Sequence, residues 1–299
     1  MNDNAATRVW LRAGALALGA GLLLAGCSRG GSTGGRKRYP LMGQVVAVDR
    51  AKDTVTVAAG NIPGLMPAMT MDYAVNPGDA ASLRPGEPIR AELVIDRPGA
   101  EPTLDRIWPN DPAARAAIAA AANALSQDTH NRGEQAYRAV GEAMPEFALY
   151  DQNGRVVQSD RFRGKQIMMD FIYTRCPLAN MCPLSTAKMI EAQKLARKDG
   201  VKNLELVSIT LDPTYDTPGV LKAYAQARNI DTSNFSFLTG PQGAVEDLLN
   251  QFGVFEVFTG GILKHTLTTL LIDAKGKIIW RADGSGWEPK DFVERMHRA

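Results

Sequence analysis

The 299-residue sequence is poor in the residues that build most metal and nucleophile sites: it holds three cysteines and three histidines. Three cysteines cannot form a disulfide-rich scaffold, so the fold must rest on apolar cores. A surplus of one charge is also lacking. The 34 Lys and Arg against 32 Asp and Glu leave a formal net charge of +2, which gives no electrostatic case for nucleic acid. Beyond the N-terminus, no apolar run approaches the roughly 20 residues of a membrane span. No internal repeat is present. What remains is ordinary globular composition, 45% hydrophobic and 22% charged, in a chain long enough for two cored domains.

The N-terminus is the exception. Arg8 and Arg12 precede an apolar run from Ala13 to Gly26. That run is short for a span and suits a secretory h-region. It ends in Leu24-Ala25-Gly26-Cys27, which resembles a bacterial lipobox, and a Gly/Ser-rich stretch, Ser28 to Gly35, follows. The resemblance implies a signal peptide cut before Cys27, a lipid on its thiol, and a protein held to the periplasmic face of a bacterial membrane. An ordinary signal peptide or an uncleaved anchor with a chance cysteine is the alternative. Lipidation of Cys27 would leave Cys176 and Cys182, either a disulfide or a pair kept reduced for a purpose.

The patterns divide the chain into a signal peptide and lipobox (1–27), a flexible tether (28–38), a small β-barrel (39–108), a helical linker (109–142) and an α/β domain (143–299). Short strands are predicted at Met42–Val48, Thr54–Ala58, Ala68–Val75 and Ile89–Ile95, punctuated by Gly and Pro, the pattern of a small all-β, OB-like barrel. Pro112 opens an alanine-rich helix to Ser126, Gln127–Glu134 reads as further linker, and a second helical segment is predicted at Gln135–Ala143. From Pro145, strands at 146–150, 166–173, 203–210, 235–238, 266–273 and 277–282 alternate with helices at 183–198, 218–228, 242–252 and 288–298. Thr217 is the expected N-cap of the second of these helices, with Pro218 at N1. This alternation predicts a layered α/β fold with a central sheet.

The chemistry concentrates after the strand at 166–173, in Phe171-Ile172-Tyr173-Thr174-Arg175-Cys176-Pro177. Both cysteines fall in the loop, and a helix begins beside Cys182, where the positive helix end favours thiolate. Thiolates suit Cu(I), and an added imidazole accommodates Cu(II). With Leu211-Asp212-Pro213-Thr214-Tyr215-Asp216-Thr217-Pro218 and Lys264-His265-Thr266-Leu267-Thr268-Thr269, this segment resembles the Sco/SenC family of copper proteins over residues 143–299. The resemblance implies a thioredoxin-like fold. It also implies copper held by Cys176, Cys182 and His265, and an acceptor in cytochrome c oxidase, whose binuclear copper centre the family helps to mature. Five residues separate the cysteines where the family usually has three. Asp212 and Asp216 are read as turn and capping residues.

The barrel carries its own signal in Ile62-Pro63-Gly64-Leu65-Met66-Pro67-Ala68-Met69-Thr70-Met71. Two residues apart on a strand, Met69 and Met71 point to one face. The segment resembles the CusF-type periplasmic copper chaperones over residues 39–108, which implies Met69 and Met71 as thioether ligands. The histidine and tryptophan that accompany them in that family are absent, with Ala59 or Gly60 and Met66 in those regions. Barrel-core packing is the other reading for the two methionines.

The expected function is extracytoplasmic copper carriage, with copper as cargo, a copper-acceptor protein and the membrane as partners, and no nucleic acid. A thiol–disulfide oxidoreductase that keeps an acceptor's cysteines reduced is the alternative, although the spacing is not Cys-x-x-Cys and Thr268 stands where such enzymes place a cis-proline. A peroxidase using Arg175 beside the thiolate ranks third.

Overall fold

The computed structural model describes residues 36–97, 99–133, 136–259 and 262–298. The lipobox reading and Cys27 lie outside these residues. Among them, no helix is long and apolar enough to cross a membrane.

The N-terminal strands alternate inward apolar and outward polar residues and close on themselves. β1 (Lys37–Asp49), β2 (Thr54–Ala59), β3 (Met69–Ala74), β4 (Pro88–Ile95) and β5 (Thr103–Pro109) form a closed barrel in the order β1-β2-β3-β5-β4. Closure leaves no edge strand to aggregate. Leu41, Val45, Val55, Val57, Tyr73, Ile89 and Leu93 fill the interior. β5 was not expected, and neither was the short helix α1 (Pro77–Ser82), which begins at one of the Pro-Gly steps that punctuate the strands. The same signals explain the helix: Pro77 stands in its first turn, and the Asn76 side chain caps it by accepting from the Asp79 amide at 2.9 Å.

α2 (Pro112–Arg132) runs six residues past the predicted end at Ser126. Asp111 caps it, accepting from the Ala114 amide at 2.8 Å. The polar stretch read as linker is fixed in place, because Asp128 accepts from Gln251 at 2.9 Å and from Arg138 at 2.5 Å. Ile118 packs with Trp108 of the barrel and Tyr150 beyond it, whereas Leu125 joins the larger core. The helix predicted at Gln135–Ala143 does not form: residues 136–143 are turn and irregular chain. Gly141 at φ 100° turns the chain there, and Arg138 donates to the Ala143 carbonyl at 2.8 Å.

The second half is thioredoxin-like. β6 (Ala148–Asp151), β7 (Val156–Gln158), β8 (Gln166–Ile172), α3 (Cys182–Lys198), β9 (Leu204–Thr210), α4 (Pro218–Ala227), β10 (Phe235–Thr239) and α5 (Gln242–Phe252) are followed by the hairpin β11 (Glu256–Thr259) and β12 (Ile262–His265). β13 (Thr268–Ile272), β14 (Ile278–Asp283) and α6 (Pro289–Met296) complete the chain. The main sheet has the order β14-β13-β8-β9-β10-β6-β7. β8, β9 and β10 are parallel, with α3 and α4 as their crossovers, and β13 is antiparallel to β8. Helices cover the parallel strands, which explains why β8 and β9 read as near-continuous apolar runs. Thr217 occupies the N-cap of α4 as predicted, but its buried hydroxyl makes no capping bond.

Candidate metal centre

Three loops meet at one edge of the sheet. β8 and β9 run parallel with Ile172 opposite Thr210, so the Cys176 loop and the Asp212 loop leave the sheet side by side. β13 runs the other way, with Thr269 opposite Asp170 and Ile272 opposite Ile167. Its start, three residues after His265, therefore lies at the same edge. The carboxyl ends of parallel strands are where open α/β sheets build their sites. His265 ends β12, with its backbone opposite Glu256, whereas the sequence pattern had it opening the following strand. Its imidazole is not among the described side chains. Among those residues, no group of three or more His, Cys, Asp and Glu side chains is arranged to hold a metal ion.

The loop between β8 and α3 is held where it leaves the strand. The Cys176 amide donates to the Tyr173 carbonyl at 3.2 Å, closing a tight turn. Before it, the Thr174 amide donates to Asp216 at 3.1 Å, and the Thr174 hydroxyl donates to the other oxygen of that carboxylate. Thr210 adds a third donor at 2.6 Å. Burial pushes Asp216 up to about 6 against these hydrogen bonds. Arg175 pairs with Asp212 at 2.5 Å and lies 3.8 Å from the centre of the Tyr215 ring. Asp212 and Asp216 thus shape the cysteine loop, the structural role the sequence assigned them, and Arg175 is engaged by Asp212 and Tyr215.

The cysteines differ in environment. Cys176 is partly exposed and its sulfur lies 3.9 Å from the Leu178 carbonyl oxygen, whereas Cys182 is buried in the first turn of α3. Both stand as thiols close enough to perturb each other. The helix end does not produce a thiolate at Cys182: burial pushes its thiol up, a backbone hydrogen bond at Tyr173 opposes this, and the Cys176 and Asp170 charges add to the rise. Desolvation, the largest cause, disfavours the charged thiolate. Two further side chains at this site were not read from the sequence. Tyr173 is raised by burial and by its hydrogen bond to Cys176. Asp170, fully buried, accepts from Ser185 at 2.6 Å and from Ser208, and burial lifts it to about 6. A lone acid within Ile167-Met168-Met169-Asp170-Phe171-Ile172 was the available signal for it.

In the barrel, Ala59 pairs with Met69, Val57 with Met71 and Val55 with Tyr73. Since Val55, Val57 and Ala59 are buried, Met69, Met71 and Tyr73 share the inward face. Tyr73 is fully buried and Met71 is half-buried against the core. Met69, at the open end, remains 43% exposed. Met66 also packs on the core from the preceding loop, where its backbone bridges Ile62. The methionines thus grade from core to solvent along one face.

The SCO1/SenC family model matches residues 135–299, more than half of the chain. The chain belongs to the SCO1/SenC family. A second model, copper binding periplasmic protein CusF, matches residues 38–109, so a CusF-type barrel precedes the SCO domain. An SCO2-like protein of Rickettsia conorii is 35% identical over 158 residues, covering 50% of this chain and 73% of its own length. An SCO1 protein homolog of Bacillus subtilis is 29% identical over 165 residues, covering 54% and 84%. ScoI of Bradyrhizobium japonicum, solved with copper bound, aligns with a TM-score of 0.45 at 26% identity, over 54% of this chain and 99% of that one.

Proposed function

We propose that the chain is an extracytoplasmic copper carrier that loads copper at Cys176, Cys182 and His265 and passes it to an acceptor, a cytochrome c oxidase subunit. The observation that carries this reading is the meeting of the cysteine loop with the chain leading from His265 into β13 at one sheet edge. Two sulfur donors and an imidazole are a donor set for copper in either oxidation state. The raised Cys182 thiol gives up its proton on binding, so loading is coupled to proton release and weakens as pH falls. The grip of Asp216 on Thr174 fixes the backbone leading to Cys176, which lowers the entropy lost when copper orders the loop.

The barrel serves as a second, softer station. Met69 and Met71 share a face and Met66 stands at the same end, so the barrel takes Cu(I) or Ag(I) and rejects Cu(II). A lipid on Cys27 and the 28–38 tether would keep both stations at a membrane surface.

One observation favours the disulfide-exchange alternative: a partly exposed Cys176 beside a buried Cys182 is also the arrangement of an attacking and a resolving thiol. Anaerobic copper titration of the reduced chain, with metal counted per chain, tests the leading reading. Cys176→Ser and Cys182→Ser should each abolish tight binding, and tight binding in either variant would refute the shared site.

A further inference from the structure

The barrel and the thioredoxin-like domain touch backbone to backbone where α1 crosses α4. A Cβ on Gly78 would lie 1.9 Å from the Gly219 carbonyl oxygen and 2.6 Å from the Ala223 amide nitrogen. A Cβ on Gly219 would lie 1.9 Å from Asp79 Oδ1 and 2.9 Å from the Asp79 amide nitrogen. Only glycine fits at either position, and both glycines serve the same crossing. Gly78, Asp79 and Gly219 are all buried there.

The crossing bears on the segment that grips the cysteine loop. Gly219 is the second residue of α4, and Asp216 and Thr217 just before it are fully buried. Asp216 holds Thr174 by amide and hydroxyl and takes the Thr210 hydroxyl as well. Thr174 stands two residues before Cys176. Earlier in the same loop, Pro213 and Thr214 face Arg38, Met42 and Arg90 of the barrel across a cleft of about 580 Å³. The barrel therefore contacts the 212–219 segment directly at α4 and flanks it at Pro213.

We infer that the barrel is a splint for the cysteine loop: the Gly78–Gly219 crossing sets the 212–219 segment, and that segment sets Cys176 against Cys182. Gly78, Asp79 and Gly219 are then positioning residues, acting through Asp216 and Thr174 with no contact to either sulfur. The inference does not depend on what the thiols bind.

The test uses the full chain, reduced and free of copper, so failure of the copper reading leaves it untouched. Amide hydrogen exchange at residues 173–176 and the rate of Cys176 alkylation by iodoacetamide are measured in the wild type, Gly78→Ala and Gly219→Ala. Gly243→Ala, in α5 with open space around it, is the control for the added methyl. Exchange at residues 173–176 should rise by about tenfold or more in the first two variants, with β9 still protected, and Cys176 should alkylate faster. Gly243→Ala should match the wild type. Asp79→Ala adds no bulk and should loosen the same amides, which keeps the test decisive if the alanine-for-glycine variants fail to fold. Folded variants with wild-type exchange at residues 173–176 and wild-type alkylation would overturn the inference.

Discussion

Asp216 accepts from both the amide and the hydroxyl of Thr174, joining two loops that lie 42 residues apart in sequence. Thr210 completes the set. Asp216→Ala would strand these three donors at a buried position. The expected cost is about 2–3 kcal/mol of unfolding free energy, read from urea denaturation of the metal-free chain. A loss within experimental error would mean that the carboxylate contributes nothing to holding the loop.

Asp79 makes stability depend on pH. Burial, with the nearby Asp105 charge, lifts its carboxyl from 3.8 to about 8. The folded chain therefore keeps a proton that the unfolded chain releases. Between those values the folded state binds more protons, so stability falls as pH rises, by up to about 1.4 kcal/mol per pH unit. Asp170 and Asp216 titrate near 6 and contribute below that value. The window from pH 6 to pH 8 thus reports mainly on Asp79. Asp79→Asn should flatten the melting temperature across that window and make the chain more stable than wild type at pH 8. An unchanged slope would contradict the assignment.

The barrel reading predicts a specific loss. In a Cys176→Ser/Cys182→Ser background, Ag(I) should still bind, and Met69→Leu with Met71→Leu should weaken it by about tenfold or more, because leucine keeps the volume and removes the sulfur. Equal affinity in both proteins would make the two methionines packing residues.

The anchor reading is tested by Cys27→Ala. The variant should leave the membrane fraction for the soluble extracytoplasmic fraction, since this reading puts the lipid on Cys27 alone. A variant that stays with the membranes would point to an uncleaved N-terminal segment.

Much of this arrangement can be read from local pattern, and its failures have physical causes. β8, the cysteine loop and α3 are legible because an apolar strand, a turn and a proline-marked helix start follow one another between Gln166 and Pro183. β5 is not, because Arg106 adopts φ 50° and the pairing with β4 shifts between Arg90 and Glu92, which breaks the two-residue alternation. α2 runs on because Asp128 and Thr129 find partners on α5, a tertiary contact that propensity cannot show. The raised Cys182 thiol is hidden for a similar reason: the helix start is visible in sequence, but the burial that overrides it is not. Pro77-Gly78 reads as a mere turn because the helix that Gly78 packs on, at Gly219, is remote in sequence.

Anaerobic titration of reduced wild type and His265→Ala with Cu(I) and Cu(II), alongside a dithiol-dependent disulfide reductase assay in copper-free buffer, tests the central claim most directly. Copper carriage predicts one tight copper per wild-type chain at the Cys176 and Cys182 pair. His265→Ala should lose Cu(II) far more than Cu(I), because two thiolates alone can hold Cu(I), and copper-free turnover should be absent. Wild-type affinity for both oxidation states in His265→Ala, together with full metal-free reductase activity, would contradict it.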